Sequence, residues 1–423
     1  MSIPATHRVA LSELCELIAV QRHPTDFPEA EYVGLEHVSP GRMRRSGNGK
    51  ASEVQSHKFA FQRDDVLYGK LRPYLDKAVL AESDGLCTTE LLVLRAKQGV
   101  SPRFLACVVH APDFIAHAMT GITGAQHPRT SWNHIAHFEM PSYDLDAQRK
   151  IAGLLWRVHD LIVACETTTS TAQALQQVCM RELFSRGLCG EAQRESEIGV
   201  VPESWSVTTF SEIREWLQYG TSIHCTLEPR RFPVLRIPNV EPGRVNASAL
   251  KYCELSEEEA SKYILCHGDL LFIRTNGVLE RLGSCAVYQG EPTRALFASY
   301  LIRARLKSGI DPRYVAYFYA SERGTSLIAG RATPAADGKY NLNTGTIDSL
   351  PLPLPPTLNE QQDIVAVLAT IDRKIELHKK KRAVLEELFK TLLNKLVTGE
   401  IAVDDLDLSA LDRAALTAEE AEV

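Results

Sequence analysis

The feature that most restricts this chain is a long internal repeat that carries a rod-like helix in each copy. Ala147-Gln148-Arg149-Lys150-Ile151-Ala152-Gly153-Leu154-Leu155 matches Glu360-Gln361-Gln362-Asp363-Ile364-Val365-Ala366-Val367-Leu368 position for position. In the second copy a seam falls at 364, 368, 371, 375, 378, 382, 385, 389, 392 and 396. Its alternating steps of four and three are the spacing of a coiled-coil heptad. His378 and Arg382 interrupt it, and Lys379, Lys380 and Lys381 lie beside them. Asn359 with Gln362 predicts a capping-box start, and Gly399 predicts the stop. A rod of this kind needs a partner, and the first copy supplies one. It runs 43 steps from Gln148 to Glu191 against 39 from Gln361 to Glu400. That difference of four corresponds to a stutter, placed near the weak helical run Thr167 to Thr171.

The repeat continues upstream of both rods. Leu11-Ser12-Glu13-Leu14 answers Phe210-Ser211-Glu212-Ile213, Tyr32 to Val38 answers Val234 to Val240, and Ser101-Pro102-Arg103-Phe104 answers Asp311-Pro312-Arg313-Tyr314. The plan is therefore globule, rod, globule, rod, with about 200 residues per unit. Expected boundaries are 1–145 and 191–357 for the globules, 146–190 and 358–400 for the rods, and 401–423 for an acidic, disordered tail. Strands are expected at 32–38, 65–68, 77–80 and 88–94, then at 234–238, 269–274, 284–288 and 299–305. One helix is expected over 102–120 and another over 311–329. An α+β fold with a curved, mostly antiparallel sheet in each globule fits this pattern.

With these features in place, the sequence resembles the specificity subunits of type I restriction-modification systems. The doubled unit, the Asn359-Glu360-Gln361-Gln362-Asp363-Ile364 opening, the Leu392 to Gly399 ending, Ile198 to Trp205, and Asp65 to Leu75 carry the likeness. The resemblance implies two target-recognition domains, each binding half of a split, asymmetric double-stranded DNA site. It implies two antiparallel coiled-coil helices as spacer, with Ile151, Leu155, Val158, Ile162, Ile364, Leu368, Ile371, Ile375, Leu385 and Leu392 in the seam. It also implies two methyltransferase subunits that modify adenine and two restriction subunits as partners. No cofactor is expected on this chain itself. A subunit of a related system that cuts beside its site is the nearest alternative. A coiled-coil scaffold that binds only protein is another, and the net charge of −6 is its best argument.

That charge is unevenly placed. From Glu400 onward eight acids face the single Arg413, a net of −7, which leaves +1 for the rest of the chain. Candidate DNA contacts follow from side-chain chemistry at turns and strand ends. Arg42, Arg44, Arg45 and Lys50 surround a Gly-rich turn. Lys70 and Arg72 leave one strand, and Arg274 and Asn276 leave the related one. Arg129, Arg331, Lys339, Tyr340 and Asn341 lie in the loops after the helices. Arginine and asparagine fit the edges of guanine and adenine, and lysine fits phosphate. Solvated surface charge is the competing reading for each of them.

Enzyme readings find little support. The Gly-rich stretches lack phosphate-loop spacing, and no metalloprotease or nucleophile-elbow pattern occurs. The ten cysteines form no Cys-x-x-Cys and read as reduced thiols of a cytoplasmic protein. His110, His117, His134 and His137 lack a third ligand at metal spacing. No apolar run is long enough for a membrane span.

Overall fold

The computed structural model describes residues 7–335 and 337–406. The described residues form two compact units, 7–167 with 378–406 and the stretch within 168–377. Each long helix is shared between them, so the units cut across the expected boundaries at 145 and 357.

The helices run over Leu145–Arg186 and Leu358–Val397. The second starts earlier than the expected Asn359 cap, because Thr357 Oγ1 accepts the Glu360 N–H at 3.2 Å. Asp144 Oδ1 does the same for Ala147 at 2.8 Å in the first. Every position of the predicted seam is buried or half-buried, including Ile371, His378 and Arg382. The threonine run 167–171 stays helical throughout. In the first unit Ile151, Leu155, Val158 and Ile162 share one core with Leu385, Phe389, Leu392 and Leu396. Tyr143 donates to Leu396 O at 2.8 Å, while Glu166 pairs with Arg382 at 3.2 Å, so the two segments are antiparallel. In the second unit Met180 and Phe184 share a core with Ile364 and Leu368. Gln176 there donates to Asp372 at 2.6 Å.

The first unit's main sheet orders Cys15–Ile18, Leu91–Ala96, Val66–Gly69 and Ala78–Leu80, all antiparallel. The second unit repeats this order with Arg214–Tyr219, Leu301–Leu306, Leu270–Ile273 and Cys285–Val287. Both carry a second sheet with one parallel pair, Tyr32 opposite Leu86 and Val234 opposite Leu296. The expected strand 32–38 ends at Val33 and turns into a 3-10 helix, Leu35–His37. Its start is fixed by the Gly34 N–H on His37 Nδ1, as Arg236 N–H is held by Asn239 in the second unit.

The expected helices 102–120 and 311–329 are each two helices. Pro112 has no N–H to continue the first and forces Ala111 out of the helical region, giving Pro102–His110 and Pro112–Thr120. In the second unit Ser321 breaks the run by capping Gly324 N–H at 3.2 Å.

Duplication is plainest in the polar joints. Asp65 accepts the Gln62 N–H and both edge nitrogens of Arg95, and Asp269 accepts the Cys266 N–H and both of Arg305. Buried Gln148 accepts the Ser101 N–H, and buried Gln361 accepts that of Asp311, each at 2.9 Å. An amide can satisfy a helix-start N–H without a charge, which fits a buried site.

The expected tail begins in order. Val403 is buried in the first core and Lys150 pairs with Asp404 at 2.9 Å. Its remainder, 407–423, lies outside the described residues.

Candidate nucleic-acid interface

The candidate site is a backbone frame that appears once in each unit. In the first, strand Val66–Gly69 runs out into Lys70, whose N–H donates to Glu90 O at 3.0 Å. Lys70 O accepts from Thr130 N, Leu71 bridges Arg129, and Arg72 N–H donates to Pro128 O at 2.7 Å. In the second, strand Leu270–Ile273 runs into Arg274, whose N–H donates to Tyr300 O at 3.1 Å. Arg274 O accepts from Leu342 N, Thr275 pairs with Asn341, and Asn276 pairs with Tyr340. The frames correspond bond for bond. Lys70 thus stands where Arg274 stands, Glu90 where Tyr300 does, Arg129 where Asn341 does, and Arg72 where Asn276 does.

The side chains on this shared frame differ in chemistry. Arg129 is gripped by Glu90, Nε to Oε2 at 2.9 Å and Nη2 to Oε1 at 3.3 Å. Arg72 sits in the left-handed region at φ 52° and, like Lys70, forms no ion pair among the described residues. In the second unit Arg274 lies over the Tyr219 ring at 4.7 Å. Asn276 Oδ1 accepts the Val278 N–H at 2.9 Å, which leaves its amide N–H₂ for a ligand. Arg274, Asn276, Ser299, Tyr300, Lys339 and Asn341 line a cleft of about 640 Å³. Lys339 also pairs with Asp337 at 2.8 Å, and that bond holds the Asp337 carboxyl below its usual range. Tyr340 is half-buried against the core, and Arg331 donates to Leu327 O at 3.1 Å at a helix end.

The arginines of the Gly-rich turn are placed differently from the rest. Arg42 pairs with Glu166 of the first long helix, Arg44 with Glu82 and Asp160, and Arg45 with Glu31 at 2.7 Å. Lys50 is exposed and 3.3 Å from Glu29. Pro242-Gly243-Arg244 repeats Pro40-Gly41-Arg42: both glycines have positive φ, 66° and 81°, and Arg244 pairs with Glu376 of the second long helix. These two turns therefore tie each globule to its own helix. Arg42→Ala and Arg244→Ala should each cost about 0.5–1 kcal/mol, as part-exposed pairs do. Neither should change the sequence of a bound half-site in competition binding, and a changed base preference would reassign the turn to DNA contact.

Other polar groups are accounted for locally. His110 bonds Asp76 at 2.6 Å and Ala78 O at 3.1 Å, and His117 stacks on His134 at 4.5 Å. No cluster of three metal-ligating side chains occurs among the described residues, and all ten cysteines are free thiols. Among the described residues no helix is long and apolar enough to cross a membrane.

Residues 202–387 match the type I restriction modification DNA specificity domain. That stretch takes in the second globule and most of the second long helix. It is 30% identical over 207 residues to the protein named as the type I restriction enzyme MjaX specificity subunit of Methanocaldococcus jannaschii, 48% of each chain. It is 26% identical over 273 residues to the EcoKI specificity subunit of Escherichia coli, 60% of this chain and 56% of that one. The chain thus spans about half the length of the curated relatives it matches. The solved specificity subunit of the type I system from M. genitalium has the same fold, with a TM-score of 0.60 over 94% of this chain and 98% of that one at 14% identity.

In this repeated frame, sequence reasoning missed Glu90, Tyr300 and Tyr219. Setting Thr88-Thr89-Glu90-Leu91-Leu92 against Ala298-Ser299-Tyr300-Leu301-Ile302 would have found the first two, since both stretches enter the same central strand.

Proposed function

We propose that this chain is the non-catalytic DNA-recognition subunit of a type I restriction-modification complex. The observation that carries the reading is the repeated frame: one set of main-chain bonds, presented twice, with different polar letters on it. Two readers of one geometry with different letters suit a split, asymmetric DNA target. Lys70, Arg72, Arg129, Arg274, Asn276, Lys339 and Asn341 are the contacts to DNA. They combine bidentate donors for base edges with point charges for phosphate. The long helices hold the two half-sites at a set spacing. Two methyltransferase subunits act on adenine in this complex, and two restriction subunits join for cleavage, all in the cytoplasm. The specificity-domain match and the names of the relatives support these assignments.

Mapping of methylated adenines in cells carrying the methyltransferase subunit, with and without this chain, tests the proposal. A bipartite motif that appears only with the chain is expected. Methylation without such a motif, or unchanged by the chain, overturns it.

A further inference from the structure

We infer that Tyr219 is a positioning residue that aims the Arg274 guanidinium at a guanine edge in the half-site read by the second unit. The inference rests on the function proposed above and adds the base and the device that reads it. Tyr219 ends strand Arg214–Tyr219, and its ring carries the Arg274 guanidinium at 4.7 Å. Its hydroxyl accepts the Thr344 N–H at 3.2 Å, so the ring is pinned from a second side. Arg274 Nη1 reaches Ser299 O only at 3.4 Å, and its Nε is buried with no partner. The guanidinium is thus held by its face, while its edge donors are left largely unspent beside the cleft that Asn276, Tyr300 and Asn341 also line. A planar fork presented this way matches the two acceptors of guanine in the major groove, and stacking removes the rotamer freedom that binding would otherwise cost.

The first unit provides an internal control. Gln218 lies opposite Arg303 as Ile18 lies opposite Val93, so the position of Tyr219 corresponds to Ala19. The position of Arg274 corresponds to Lys70. The platform and the fork are therefore absent together from the first unit. A lysine has no plane to be stacked and needs no aromatic beneath it. Paired replacement of this kind is what a two-residue device leaves behind when one domain stops using it.

The test uses the reconstituted complex with wild-type chain, Tyr219→Ala, Tyr219→Phe and Arg274→Lys, scored by methylation-site mapping and by competition between matched and singly mismatched duplexes. Tyr219→Ala should lower discrimination at one guanine of one half-site about tenfold, the scale of one bidentate base contact. The other half-site should keep its letters. Tyr219→Phe keeps the ring and should keep the discrimination. Arg274→Lys keeps the charge and should relax the same base, which makes the test independent of how well Tyr219→Ala folds. Relaxation at a different base or at none in Arg274→Lys overturns the inference. So does equal loss in Tyr219→Phe, which would assign the effect to the Thr344 bond. If the wild-type chain yields no bipartite motif, the proposed function itself fails; if it yields one that all three variants leave unchanged, only this inference fails.

Discussion

Asp269→Ala should destabilise the second unit by about 3–5 kcal/mol, the cost of stripping one partner from a buried ion pair. Asp269 is fully buried, and its carboxylate accepts two bonds from Arg305 at 2.8 and 2.9 Å and one from the Cys266 N–H at 2.8 Å. It also lies 3.7 Å from Arg303, which is 5% exposed and has an Nε without a partner. Removing the carboxylate takes the counter-charge from that second guanidinium, which stays bonded to Ile264 O, Lys262 O and Gln218 and packed on Trp216 and Phe297. Asp65→Ala makes the same deletion in the first unit with a milder outcome, about 1–3 kcal/mol. Only Arg95 loses an ion-pair partner there, and its side chain is 34% exposed. Urea denaturation followed by tryptophan fluorescence on the full chain measures both. A domain total is only about 5–15 kcal/mol, so the Asp269 variant should show an early, separate transition. Equal losses in the two variants would mean that Arg303 adds nothing, and a loss below about 1 kcal/mol for Asp269 would contradict the buried-pair account.

Exchange of residues 1–145 for the corresponding stretch of a similar specificity subunit should rewrite one half of the methylated motif and leave the other half letter for letter. Two joints favour the exchange: on the retained helix Gln148 accepts from the main chain of Ser101, and Trp156 donates to the main chain of Arg103 at 3.1 Å. Bonds to main chain do not depend on which side chain the incoming globule carries. Apolar packing of the globule in the core it shares with Ile151, Leu155, Val158 and Ile162 needs only similar volume. Methylation-site mapping of the chimera reads the outcome. A change in both halves would end the assignment of one globule to one half-site.

The rods were legible because their signal is periodic and doubled. Full or partial burial of every seam position from Ile364 to Leu396 follows from spacing alone, even where His378 and Arg382 replace apolar residues. At Arg382 the seam is polar because Glu166 receives both Arg382 and Arg42. The helices expected over 102–120 and 311–329 were legible only in outline, since Ala111 and Ser321 break them through local chemistry that an apolar pattern does not register. The site was less legible still. Arg42 and Arg72 look alike in sequence, yet one is spent on a glutamate 124 residues away and the other is not. Glu90 carried no basic signal and Tyr300 no charge, so a search for cations passed over both. What separates a reading arginine from a bracing one is its partner, and partners are set by the fold.

The division of the long helices between the units has a consequence for synthesis. The second unit is one uninterrupted stretch, 168–377, and everything its core needs has been translated once Leu368 and Ile375 have emerged. The first unit is not contiguous: its core waits for Leu385, Phe389, Leu392 and Leu396, and its Tyr143 bond spans 253 residues. Until those residues leave the ribosome, Ile151, Leu155, Val158 and Ile162 have no covering helix and present a sticky face to solvent. At about 5–20 residues per second, the roughly 200-residue delay lasts on the order of 10–40 s. The globule made first is therefore the one finished last, and it is where a nascent chain of this design is most exposed to aggregation and to chaperones.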